Sequence, residues 1–396
     1  MRSLSLSKSG INKIRSNQFE LKTNDFEGSI KSIPSGEWCF FTWGPQDFGV
    51  GFLNPMIEDK YSCASLVGKL TKEQLANFSI EDFIFGKLKH AYEKRIKIKG
   101  YEKNARIFYG VSDGLPGLII DLFQNAAIIQ INTAGVDRFR DFIKDSINKL
   151  TGTKAYFLDN PKYREKEYLP TFENEVLPDL EVLENGIKYH IRSEVLQKVG
   201  FYYDHRENRF NLMQLLSRMN SEFGTGLDLF SYAGAWGMSA LKAGVKEVQF
   251  VDQGDFGVEV TEALNRNGFE GRGSFHRSDV FKYLDESIQK KQKFDVILCD
   301  PPAFAKSALH KNQALEGYSK LHRKVFKTLN ANAVVAFSSC THYVGHEEFQ
   351  KNIQDAALRE NRKIQLLYCG MQGFDHPVKS LEDRSNYIKS YFYSVE

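Results

Sequence analysis

The sequence predicts an α/β protein in which a doubly wound parallel sheet is preceded by a small β-barrel-like module and a central α+β domain. Three observations carry this reading. From about Gly224 onward strand-like and helix-like runs alternate. The first seventy residues hold short apolar runs separated by turn clusters, and between the two lies a helical pattern followed by short strands. A chain of 396 residues has room for two or three domains, and boundaries are expected at 1–70, 71–180 and 181–396.

In the first module Phe19, Leu21, Ile30, Ile33, Trp38, Phe40, Phe41, Val50 and Phe52 fall in short runs divided by Pro34-Ser35-Gly36 and Trp43-Gly44-Pro45. Leu75, Phe78, Ile84, Leu88, Ala91 and Tyr92 then recur mostly three or four residues apart, with the period lost after Phe78, which predicts a helical segment broken once. Strands are expected at 106–109, 118–123 and 126–131 and a helix at 136–150. A hairpin at 177–192 turns on Asn185-Gly186. Beyond it the strands are expected at 227–230, 247–252, 295–299 and 334–338, and the helices at 236–243, 258–267 and 317–329. A parallel sheet of this kind binds ligands at the carboxyl ends of its strands, so the loops after Phe230, Val251, Cys299 and Ser338 are the ones to read for chemistry.

Hydrophobic residues at 42% and charged residues at 26% fit a globular protein, and no apolar run is long enough for a membrane span. The opening residues lack the apolar core of a secretory signal, and the expected location is the cytoplasm, without a membrane role. Five cysteines without a CxxC pair suggest neither a disulfide framework nor a metal site. Core packing is the expected role of Cys39, Cys63, Cys299 and Cys369. A net charge of +3 permits a nucleic-acid partner without requiring one. Lys87, Lys89, His90, Lys94, Arg95, Lys97, Lys99, Lys103 and Arg106, interleaved with Tyr92 and Tyr101, suit either RNA contact or a solvated helix face.

The first strand of the alternating region runs into Asp228-Leu229-Phe230-Ser231-Tyr232-Ala233-Gly234, a turn of small residues opening a helix. It is not the GxGxxG cradle, which disfavours a dinucleotide relative to a ligand without a pyrophosphate. The second strand ends at Asp252, followed by Gln253, where a carboxylate accepts both hydroxyls of a ribose. Asp279-Val280 follows at a third station, suited to an adenine amine and ring. The plainer alternative is that both aspartates cap helices.

Asp300-Pro301-Pro302-Ala303-Phe304 follows the next strand. The prolines end that strand and stiffen a loop carrying a carboxylate beside an aromatic ring, which suits recognition of a flipped base by Asp300, Pro302 and Phe304. Cys340, in Ser338-Ser339-Cys340-Thr341-His342, follows the strand beyond. A thiolate there has a chemistry that a cytosine requires, because addition at carbon 6 makes carbon 5 reactive enough to take a methyl group. Asp300 would then bind or protonate the ring nitrogen that gains electron density. His342 is a candidate for proton transfer, although a surface histidine is the commoner outcome.

The chain resembles the bacterial 23S ribosomal RNA (cytosine-C5) methyltransferases that carry an N-terminal PUA domain. The likeness rests on Ser112-Asp113-Gly114-Leu115-Pro116-Gly117-Leu118 with Asp121, and on Gln197-Lys198-Val199-Gly200-Phe201-Tyr202 with Asp204, Arg206 and Arg209. It also rests on Phe230 to Gly234, Asp300-Pro301-Pro302 with Phe304, Ser339-Cys340 and Asp375-His376-Pro377. The resemblance implies a PUA-like first domain and a Rossmann-like catalytic domain using S-adenosyl-L-methionine. It also implies 23S rRNA as partner, Cys340 and Asp300 as catalytic residues, and Gln197 near the cofactor; it leaves room for a homodimer. Two readings compete: a guanine-N methyltransferase, which shares the Asp-Pro-Pro-x-Phe loop without needing a thiol, and a non-catalytic RNA-binding assembly factor.

Overall fold

The computed structural model describes residues 1–396 except 58–60, 173, 174, 197–199, 306, 382 and 384. Two compact units divide the chain, the first within Met1–Pro178 and the second formed by Asp179–Leu196 with Gly200–Glu396.

In the first unit, β1 (Arg2–Ser5), β2 (Glu20–Leu21), β3 (Glu37–Thr42), β4 (Phe48–Leu53) and β5 (Ala64–Leu70) form a sheet in the order β1-β3-β4-β5-β2. Helix α1 (Lys8–Arg15), which the turn-rich composition hid, is capped by the Ser7 side chain. The broken helix is present as α2 (Lys72–Ala76) and α3 (Ile80–Ile96), and Ser79 caps the second piece. A second sheet has the order β6 (Ala105–Tyr109), β7 (Leu118–Leu122), β8 (Ala127–Ile131) and β9 (Ala155–Phe157). The helix expected at 136–150 is two, α4 (Ala134–Asp137) and α5 (Arg140–Thr151), and α6 (Pro161–Lys166) follows β9. Trp38, Val50 and Phe52 of the first sheet share one buried core with Leu88, Ile120 and Ile129. The indole of Trp38 donates to the Gly135 carbonyl at 2.8 Å.

The motif running from Ser112 to Asp121 is structural here. Asp113 holds the buried Arg95 guanidinium with two bonds of 2.8 and 2.6 Å and accepts the Tyr109 amide, while Asp121 pairs with Arg106 at 2.8 and 2.9 Å. Tyr101 is also buried. The basic run therefore loses Arg95, Arg106 and Tyr101 as RNA-contact candidates, because their polar or aromatic groups are spent inside the fold. Lys89, His90, Lys94, Lys97, Lys99 and Lys103 remain exposed.

The second unit opens with the hairpin β10 (Leu180–Glu184) and β11 (Ile187–Ile191), whose turn residues Asn185 and Gly186 both take positive φ, 51° and 73°. After α7 (Arg206–Arg218), β12 (Thr225–Leu229), α8 (Ala235–Lys242), β13 (Glu247–Asp252), α9 (Gly257–Arg266), β14 (Gly273–Arg277) and α10 (Val280–Gln289) alternate. They are followed by β15 (Phe294–Cys299), α11 (Lys311–Thr328), β16 (Leu329–Ser339), α12 (His346–Arg359), β17 (Ile364–Gly370) and β18 (Lys389–Val395). The strand order is β14-β13-β12-β15-β16-β18-β17. The expectation of an all-parallel sheet needs correction: β18 runs antiparallel to both β16 and β17. It reads as a buried strand, with six of its seven residues below the surface, and direction leaves no trace in such a run.

Phe250 of β13 explains several small residues. A Cβ on Gly237 would meet its ring at 2.3 Å, one on Gly273 at 2.9 Å and one on Gly234 at 3.0 Å, so glycine lets α8 and β14 close on that ring. Reversal at β12 sends the chain to β13 on one side and β15 on the other, and the crevice at their carboxyl ends is the expected binding place.

Candidate functional site

The turn after β12 is strained. Phe230, Tyr232 and Gly234 all have positive φ, 61°, 47° and 78°, and two of them are not glycine. The turn is held by the Ser231 amide donating to the Val251 carbonyl at 3.1 Å and by the Tyr232 amide donating to Asp252 Oδ2 at 3.0 Å. The Tyr232 hydroxyl donates to the Gly200 carbonyl at 2.6 Å. Behind it, buried Asp228 accepts the Gly237 amide at 2.8 Å and so fixes the start of α8. Burial pushes this carboxyl well above the usual range, with the charges of Asp300 and Asp252 adding to the rise and the Gly237 bond opposing it.

Asp228 Oδ1 and Ser231 Oγ are buried without a hydrogen-bond partner among the described residues. Two orphaned polar atoms at the end of β12 fit a ligand with polar groups to offer, as an aminoacyl or ribosyl group has. Asp252 spends both oxygens partly on backbone, the second on the Gly254 amide at 2.8 Å, and stays half-buried. Asp279 caps α10 by accepting the Lys282 amide at 3.0 Å, and its other oxygen accepts the Gln253 side-chain amide at 3.2 Å. Asp279 thus caps a helix while remaining exposed, and Val280 is buried in the main core. Gln197 lies outside the described residues.

Asp300 follows β15 on the neighbouring strand. Trp236, two residues after Gly234, donates its indole N–H to Asp300 Oδ2 at 3.0 Å. His205 stands on the other side, with Nε2 3.4 Å from Asp300 Oδ1. The Asn208 amide nitrogen lies 3.1 Å from His205 Nδ1 and also donates to the Met371 carbonyl at 3.1 Å, so Nδ1 accepts and Nε2 carries the proton toward Asp300. Burial disfavours the imidazolium, yet the charge and contact of Asp300 outweigh it and raise the His205 pKa. Pro302 is exposed, and Phe304 stacks obliquely on Tyr318 with centroids 4.7 Å apart.

Cys340 is half-buried at the end of β16 and outside any disulfide. Its loop is tied to the one carrying Asp300, because the Thr341 hydroxyl donates to the Ala305 carbonyl at 3.1 Å. The Tyr202 hydroxyl is held above its ordinary pKa by burial and then by Asp204, Cys340, Asp300 and Asp252, groups from four separate segments.

Cys299 is buried, its thiol pushed well up by burial, as a packed strand residue should be. Cys39 and Cys63 are buried too, whereas Cys369 is exposed and not the core residue expected, because it sits on the edge strand β17. His342 is exposed against Tyr387. Sequence reading missed Tyr202, His205 and Trp236 as neighbours of the acidic stations. Trp236 was detectable, since a large aromatic so near the start of the helix after this turn must face either the core or the cleft.

Glu184 explains the arginines at the entrance to this unit. Its buried carboxylate takes two bonds from Arg209, 2.6 and 2.9 Å, and one of 3.3 Å from Arg206, while Arg209 also donates to the Tyr202 carbonyl at 2.8 Å. The hairpin β10–β11 thereby fixes the segment that carries Tyr202, Asp204 and His205.

A family model described as Conserved hypothetical protein 95 matches residues 204–361. The Ribosomal RNA large subunit methyltransferase I of Aeromonas salmonicida is 34% identical over 319 residues, covering 78% of this chain and 79% of that protein. The protein of the same name from Erwinia tasmaniensis is 30% identical over 78% of this chain and 80% of its own. Among solved structures, a candidate SAM-dependent methyltransferase from Streptococcus mutans superimposes with a TM-score of 0.75 at 19% identity over all of both chains. A candidate methyltransferase complexed with SAH does so at 0.76, also at 19% identity over all of both chains. These two structures establish the fold.

Proposed function

Because the chain belongs to the ribosomal RNA large subunit methyltransferase I family, we propose that it methylates carbon 5 of a cytosine in 23S rRNA through a transient bond from Cys340 to carbon 6. The observation that carries the mechanism is the hydrogen bond that ties the Cys340 loop to the loop of Asp300. S-Adenosyl-L-methionine supplies an electrophilic methyl group. Phe230, Ser231, Tyr232 and Gly234 form the turn that would hold it. Asp228 fixes that turn from behind, Asp252 and Gln253 stand where its ribose would lie, and Asp279 with Val280 marks the adenine end.

Asp300, fixed by Trp236 and faced by His205, holds the ring nitrogen side of the base, with Pro302 and Phe304 along the ring. Cys340 adds to carbon 6, carbon 5 takes the methyl group, and loss of the carbon 5 proton expels the thiolate. The five-stranded sheet of the first unit would act as the PUA-like RNA-binding module, aided by the lysines exposed along and after α3.

The test uses the full chain, 23S rRNA and methyl-labelled cofactor. Cys340→Ala is expected to abolish turnover, and RNA containing 5-fluorocytosine should trap the wild-type protein covalently through Cys340. An alanine variant of full activity excludes the covalent mechanism and favours transfer to a guanine nitrogen, which needs no thiol. Failure of the wild-type protein to bind the cofactor in calorimetry favours the assembly-factor reading.

A further inference from the structure

Lys389 is the side chain that neither the sequence nor the mechanism above employs. It is the first residue of β18, pairs with Ser339 across the antiparallel ladder, and therefore sits beside the residue preceding Cys340. It is 4% exposed, an unusual burial for lysine. Its Nζ donates to the Thr341 carbonyl at 2.7 Å and to the Tyr387 carbonyl at 3.0 Å. An amine in its neutral form has two N–H bonds and one lone pair. The two carbonyls use the first and leave the second, so this setting suits a group that takes up a proton when one is offered nearby.

Building on the covalent mechanism, we propose that Lys389 is the positioning residue that takes the Cys340 proton and holds the sulfur as a thiolate. The Sγ–H bond breaks, an Nζ–H bond forms, and sulfur keeps the electron pair, so a neutral pair becomes an ammonium beside a thiolate. The proton stays on Nζ while the sulfur is bonded to the base, and elimination restores the same ion pair.

The electrostatics agree with this exchange. Burial lowers the Lys389 pKa from its ordinary range to about 8, and a charge on Cys340 works against that fall. The interaction is mutual, so an ammonium at Nζ favours the thiolate as much as the thiolate favours the ammonium. Other titratable groups face the pair from each side. His342 and His346, beyond β16, are both lowered by burial and then by the Lys389 charge, and so stay neutral beside it. Tyr202 from the entrance segment and Tyr318 from α11 are both raised, burial first, with the charges of Cys340 and Asp300 contributing. Of these groups, Lys389 is the one whose protonated form is a cation that a charge on Cys340 stabilises.

Iodoacetamide alkylation of Cys340 in the full-length protein, followed by peptide mass analysis across a pH series, reads the thiolate directly and does not require methyl transfer. In the wild-type protein the midpoint should fall below the roughly 8.5 of an ordinary thiol. In Lys389→Met it should rise by about one unit, a loss of roughly tenfold in alkylation rate at pH 7, and Lys389→Arg should recover most of that rate. A wild-type midpoint at or above the ordinary thiol range overturns the proposal even if Lys389→Met does not fold. An unchanged profile in a folded Lys389→Met overturns it as well. The readout separates this idea from the reading beneath it. A shifted profile with an active Cys340→Ala supports the pairing and sinks the covalent mechanism, and an ordinary profile with an inactive Cys340→Ala sinks the pairing alone.

Discussion

Trp236→Phe isolates one contact of Asp300, the carboxylate proposed to bind the base. The indole N–H donates to Asp300 Oδ2 at 3.0 Å, and phenylalanine removes that donor while keeping an aromatic ring against His205, whose centroid is 5.3 Å away. A hydrogen bond to a charged group contributes about 1.5–3 kcal/mol. The Asp300 side chain is 22% exposed, so water makes up part of the loss and the lower end applies. A loss of about 1.5–2 kcal/mol in holding Asp300 at the transition state corresponds to a roughly ten- to thirtyfold fall in turnover. Cofactor affinity should stay within about threefold, because the lost donor points at Asp300 and not along the turn. Single-turnover methyl transfer to 23S rRNA, with cofactor binding measured separately, gives both numbers. A folded variant with turnover within about twofold of wild type, beside an inactive Asp300→Ala, would show that Trp236 does not position the carboxylate.

Glu184→Ala should destabilise the second unit by about 3–5 kcal/mol, because it leaves the buried guanidinium groups of Arg206 and Arg209 without their carboxylate. A melting temperature lowered by roughly 10 °C is the expected result, and no change would mean that water reaches the pair. His322, buried between α11 and the sheet, has its pKa depressed from 6.5 to about 3 by burial, with its bond to Asn352 acting the other way. The unfolded chain therefore binds the extra proton between those values, and native stability is lost as pH falls through 6.5 toward 3. Denaturant titrations should show about 2 kcal/mol lost from this residue between pH 7 and pH 5 that His322→Leu does not lose.

The second unit of the fold was readable because its strands and helices change period sharply. β13 was expected at its observed bounds, and Asn185-Gly186 admits essentially one turn. The positions of Asp300 and Cys340 were readable for a related reason, since each stands just past the carboxyl end of one of two parallel strands. Arg95 and Arg106 show where that reading stops. A charged residue spent on a buried partner looks the same in a sequence as one offered to a ligand.

By itself the sequence determined what depends on neighbours along the chain: the alternation of elements, the turn of small residues after β12, the proline-stiffened loop and the thiol after β16. Only the tertiary structure decided which distant groups share a carboxylate or a proton. Trp236 and His205 on Asp300, Glu184 under two arginines, and Lys389 beside Cys340 are separated by 22 to 95 positions in the chain. Their energies depend on distance and burial in space, and periodicity carries information about neither.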